Sequence, residues 1–171
     1  KDAIDVLIKV LEDTKQEPMV RHEAAEALGA IGSSEVMPIL EKYLKDPVIE
    51  VAETCELALE RIKWLQNPVD CNGLSQNPYL SVDPTPPSNT SNLEELKTVL
   101  YDENASLFNR YRAMFSLRNL RTDEAIVTLS QALRKGSALY RHEIAFVLGQ
   151  LQHELSVPFL KQSLEDCEEN E

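Results

Sequence analysis

Glycine is scarce in this chain, with five in 171 residues, and aromatic residues make up only 6% of it. Sandwiches and barrels need frequent glycine turns and aromatic or β-branched strands, so those architectures are excluded first. Basic residues are also few: 17 Lys and Arg stand against 29 Asp and Glu, a formal charge of -12. Such a field repels phosphate backbones and excludes nucleic-acid binding, while it attracts a cationic ligand or a basic protein patch. The three cysteines, Cys55, Cys71 and Cys167, contain no CxxC pair and are odd in number. Neither a thiolate zinc site nor a complete disulfide framework is expected, and the compartment implied is a reducing, cytoplasmic one. No run of about 20 apolar residues exists to cross a membrane. Asn89-Thr90-Ser91 and Asn104-Ala105-Ser106 match the glycosylation sequon but follow no signal peptide, and read as chance matches. What is abundant is helical: the chain is 43% hydrophobic, enough for a core, and rich in Ala, Leu, Glu and Lys.

The organisation is repetitive. Arg21-His22-Glu23 with Ala25, Leu28 and Gly29 recurs 120 residues later as Arg141-His142-Glu143 with Ala145, Leu148 and Gly149. The same shift carries Pro38, Leu40, Leu44 and Asp46 onto Pro158, Leu160, Leu164 and Asp166. A shift of 31 relates Val20, Ala27, Leu28 and Ile31 to Val51, Ala58, Leu59 and Ile62. The unit is therefore about 30 residues, a helical hairpin whose apolar face is buried only when neighbours stack. First helices are predicted at 18–31, 47–65, 105–120 and 138–152, and second helices at 2–12, 34–45, 92–102, 122–135 and 155–168. This is an all-α solenoid, and its first helices resemble HEAT repeats, which read roughly Val-Arg-x-x-Ala-x-x-Ala-Leu-Gly. Residues 66–91 hold five of the nine prolines and read as an irregular linker between two half-solenoids, 1–65 and 92–171. The sequence opens at Lys1-Asp2-Ala3 directly in a helical pattern, which suggests a portion of a longer protein.

The His-Glu pairs carry the candidate chemistry. With Val20 at zero and 100° per residue, Ala24, Ala27, Leu28 and Ile31 fall within about 60° of 20°, the expected packed stripe. His22 and Glu23 lie outside it, and His142 and Glu143 lie outside the stripe of Ile144, Val147, Leu148 and Leu151. Both imidazoles are expected to face away from the core. Gly29 and Gly149 share their face, either to let helices approach or to leave room for a ligand. Imidazole nitrogens with carboxylate oxygens and no thiolate suit Fe(II) or Mn(II). His22-Glu23-Ala24-Ala25-Glu26 is not HExxH, so a zinc protease is disfavoured. Adjacent residues on a helix diverge by 100°, so one pair is a poor chelate and a site needs several helices. At the same positions the other repeats carry Glu53-Thr54 and Tyr111-Arg112, so the fold itself does not require the pair. His153-Glu154 sits in a turn and reads as helix-boundary polarity. No Gly-x-Ser-x-Gly elbow or Cys-His pairing supports nucleophilic catalysis. Arg21 and Arg141 are expected to bridge acidic groups between repeats, the alternative being to offset charge near the site.

Residues 18–32, Tyr140 to Gln152 and Asn109 to Asn119 resemble the deoxyhypusine hydroxylase family, and the likeness spans essentially the whole chain. The resemblance implies a two-half HEAT enzyme with a dinuclear iron centre that uses O₂. Its substrate is the deoxyhypusine side chain of the initiation factor 5A precursor. The family has four His-Glu motifs and this sequence two. By that carry-over His22, Glu23, His142 and Glu143 belong to the metal site, with Glu143 placed on the cationic substrate amine more than on metal. The resemblance also implies that this chain alone is inactive and metal-free unless companion segments complete it. The alternatives are a non-catalytic HEAT scaffold for a basic protein partner and a HEAT-like tetrapyrrole lyase or chaperone.

Overall fold

A computed structural model of the chain describes residues 2–67, 74–167 and 169. Among these residues the regular structure is entirely helical: α1 (Asp2–Glu12), α2 (Pro18–Ile31), α3 (Met37–Lys42), α4 (Ile49–Gln66), α5 (Leu93–Tyr101), α6 (Leu107–Leu120), α7 (Asp123–Ala132), α8 (Ala138–Leu151) and α9 (Val157–Leu164). Two expected second helices are shorter than their apolar pattern. Each opens with one 3₁₀ turn, Ser34–Val36 or Glu154–Ser156, before a proline in the first α turn. Pro38 and Pro158 donate no N–H, so they are tolerated there and not deeper in a helix. The helix starts of the second half are written locally: Asn92, Ser106, Thr122 and Ser137 each accept a backbone N–H of the first turn through their side chains.

Two compact units form. The first is Lys1–Cys71 with Val82–Thr85, and the second is Asn72–Ser81 with Pro86–Glu171. In the first, α2 packs on α1 and α4, and Leu11, Leu28, Val36, Leu40, Val51, Cys55, Leu59 and Ile62 are buried together. In the second, α6 packs on α5, α7 and α8 around Leu100, Tyr111, Phe115, Leu129, Tyr140, Ile144 and Leu148. The second unit repeats the first at an offset of 89 residues: Pro18 and Leu107 open α2 and α6, and Ile49 and Ala138 open α4 and α8.

The described residues between α4 and α5 contain no helix, yet they are held. Arg61 of α4 donates to the carbonyls of Gly29 and Asp83 at 3.1 and 3.2 Å. In the second unit, Ser88 donates its N–H to Ser116 Oγ at 2.7 Å, and Asn119 donates to Ser75 Oγ at 2.9 Å. Arg118, fully buried, stacks on Phe115 and Tyr79 and donates to Asn119 and Gln150.

The expected stripe of α2 is rotated. Val20 and Ile31 are exposed, and the buried residues are Arg21, His22, Ala24, Ala25, Leu28 and Gly29. On the same wheel these span an arc centred roughly 100° from the expected stripe. The cause is the solenoid: a first helix is covered by its own hairpin and also by the first helix beside it, here α4.

Candidate metal centre

His22 does not face away from the packed interior as its sequence position suggested. It is 3% exposed, under α4, while Glu23 on the next position is open to solvent. In the second copy the pattern inverts: His142 is exposed and Glu143 is 7% exposed. One rule explains both. The covered member of each pair lies on the side of the one first helix packed beside it: α4, which follows α2, and α6, which precedes α8. Helix α2 has α4 after it, so His22 is covered; α8 has α6 before it, so Glu143 is covered. At the 89-residue offset Glu143 occupies the register of Thr54, the residue through which α4 meets His22. The glycines follow suit. A Cβ on Gly29 would lie 2.7 Å from the Ala58 Cβ, so this glycine serves close approach of α2 and α4, whereas a Cβ on Gly149 meets nothing within 4 Å.

The His22 ring is set by its neighbours. Thr54 Oγ1 donates its single proton to the Glu50 carbonyl at 2.7 Å, so it accepts from His22, whose Nδ1 stands 2.6 Å away. Nδ1 therefore carries the proton of the neutral ring, and Nε2 is the basic nitrogen. Nε2 faces carboxylates: Glu26 Oε2 at 3.5 Å and Glu23 Oε1 at 3.9 Å. Burial, helped by the charge of Glu23, pushes the Glu26 carboxyl above its ordinary value. A basic imidazole nitrogen among carboxylates, one of them disfavoured as an anion, is a donor set suited to a hard or borderline cation. These side chains do not complete a cage, and among the described residues no group of three or more His, Cys, Asp or Glu is arranged to hold a metal ion by itself.

Among the described residues, the arginines that precede each histidine each pair with one carboxylate and do not bridge several acidic groups. Arg21 donates through Nη1 and Nη2 to the two Asp46 oxygens at 3.2 and 2.5 Å, and Arg141 pairs with Glu169 at 2.5 Å. His153 accepts the Leu155 N–H at 3.3 Å and begins a 3₁₀ turn, a boundary role. Cys55 is buried, which pushes its thiol up to about 12 and removes it as a nucleophile, while Cys71 lies outside the described residues. Thr54 and Glu26 are the residues that sequence reasoning passed over. Thr54 stood among the control positions, and the signal that finds it is the 31-residue shift, which sets it across from Glu23 one helix along.

Comparison with known proteins bears on the fold and the family. The HEAT repeats family matches residues 1–60, and the PBS lyase HEAT-like repeat matches 110–135 and 140–166. The chain is thus a HEAT-repeat solenoid. Along nearly its whole length it is homologous to deoxyhypusine hydroxylases, which are enzymes. That of Drosophila melanogaster is 59% identical over 170 residues, which are 99% of this chain and 56% of the fly protein. That of Homo sapiens is 56% identical over 168 residues, 98% of this chain and 55% of the human one. The solved structure of human deoxyhypusine hydroxylase in complex with glycerol matches with a TM-score of 0.93 at 56% identity, covering 99% of this chain and 58% of that one. The chain spans a little over half the length of the curated relatives it matches.

Proposed function

We propose that this chain is part of an O₂-dependent deoxyhypusine hydroxylase in which His22, Glu23 and His142 are iron ligands. Glu143, the buried carboxylate of the second pair, holds the cationic amine of the substrate or joins the metal set. The observation that carries the reading is the His22 ring, whose Nδ1 is committed to Thr54 and whose Nε2 stands beside Glu23 and Glu26. A metal-binding histidine is oriented in this way, with its second nitrogen fixed by a hydrogen bond.

When bound, the iron pair supplies the activation of O₂, chemistry that no side chain here provides. The protein's own part is placement. Thr54 fixes the tautomer of His22, and the fixed helix α2 presents Nε2 and the two carboxylates on one face. The net charge of -12 draws a protein-borne amine toward the chain, which suits the deoxyhypusine side chain of the initiation factor 5A precursor, in the cytoplasm. With two of the family's four His-Glu motifs in this sequence, companion segments finish the centre, and the chain alone is inactive.

The test is to join the chain to the remaining segments of such an enzyme and replace His22 or His142 by Ala. Iron content by elemental analysis and conversion of the peptide substrate by mass spectrometry are then measured. Loss of iron with loss of turnover is expected; unchanged iron content in both variants overturns the assignment.

A further inference from the structure

We propose that Glu26 is a further carboxylate of the centre, set one helical turn after His22 so that the two share a single cation. The inference rests on the reading that His22 Nε2 holds iron, and extends it to a residue outside the His-Glu pairs. The register isolates Glu26. Shifts of 31, 89 and 120 residues carry it onto Leu57, Phe115 and Phe146, so each of the other three first helices has an apolar side chain at this place. Leu57 and Phe115 are buried there. The fold therefore asks for a hydrophobic residue, and a half-buried carboxylate is kept at a cost in desolvation.

The helix gives that carboxylate its aim. Residues four apart lie on one face of a helix, whereas adjacent ones such as Glu23 and His22 diverge by about 100°. Helix α4 touches this face on both sides of Glu26, through Thr54 at His22 and through Ala58 at Gly29. Glu26 Oε2 lies 3.5 Å from His22 Nε2 with its side chain 32% exposed, while Glu23 Oε1 lies 3.9 Å away with its side chain 69% exposed. Among the described residues His22 is the one basic side chain paired with Glu26. Two bonds of about 2.1 Å together span at most about 4.2 Å, so both separations fall within the reach of one cation. The nearer and drier carboxylate attracts it more strongly, because Coulomb attraction grows as distance and local dielectric fall. The repeat on α8 carries the exposed Phe146 in this place and has no equivalent carboxylate.

The experiment uses the enzyme completed with its remaining segments, loaded with Fe(II) without oxygen, and reads iron affinity by competition with a chelator. E26Q keeps the shape of the side chain and removes its charge, E26L installs the residue that α4 carries, and H22A tests the underlying reading in parallel. E26Q and E26L are expected to weaken iron binding at one site by about 10-fold or more. The metal-stripped E26L protein is expected to melt above the parent, so that affinity and stability move in opposite directions. Loss of iron in H22A with parent-like affinity in E26Q and E26L overturns the role of Glu26 alone. Undiminished affinity in H22A overturns the reading beneath it, and this inference with it.

Discussion

At the scale of single residues, burial in the two His-Glu pairs is opposite, and hydrogen bonds settle what each side chain can do. Thr54 is the telling case, because its hydroxyl proton is already given to the Glu50 carbonyl. T54V keeps the shape of the side chain and removes the acceptor for His22 Nδ1. In the completed enzyme it is expected to weaken iron affinity by about 10–100-fold, measured by competition with a chelator, with T54S restoring it. Asp46 makes a second residue-scale prediction. The hydrogen bonds from Arg21, then that from Val48, hold its carboxyl below the ordinary value of 3.8, against the opposing effect of burial. A depressed carboxylate contributes its stability in full above the unfolded value and loses it as pH falls through the lower folded one. The acid limb below about pH 4 is therefore expected to flatten in D46N. That variant also leaves the Arg21 charge buried and unpaired, at a cost of about 3–5 kcal/mol by chemical denaturation at pH 7.

At the scale of elements, the helical hairpins were legible because the Arg-His-Glu step and its following leucines recur at fixed spacing. The direction of each face was not. A helical wheel treats α2 as one cylinder against one core, whereas α2 lies between α1 and α4, and His22 and Gly29 are covered by the second neighbour. The same limit hid Thr54, which means nothing on α4 until α2 is laid against it. The two equivalent glycines separate the contributions. G29A drives a Cβ to 2.7 Å from Ala58 Cβ and 2.9 Å from its Cα, and is expected to destabilise by about 1–3 kcal/mol. G149A meets nothing within 4 Å and is expected to stabilise by up to about 1 kcal/mol through helix propensity. Urea denaturation of the two variants side by side reads both signs.

At the scale of the whole molecule, the acidic surface is a property of composition, while the path of the chain is a property of the fold. Proline content marked 66–91 as irregular, but composition carries no record of where such a segment lies down. Asp83 is bonded to Arg61 of the first unit, while Ser75, Ser81 and Pro87 are bonded to Asn119, Gln150 and Arg112 of the second. A chain ending at 67 is expected to melt below one ending at 91 by circular dichroism, because it lacks Val82–Thr85. The first unit is finished only by a short stretch that the chain reaches after ten residues assigned to the second, so a scission anywhere from 71 to 81 robs the first unit of its last four residues.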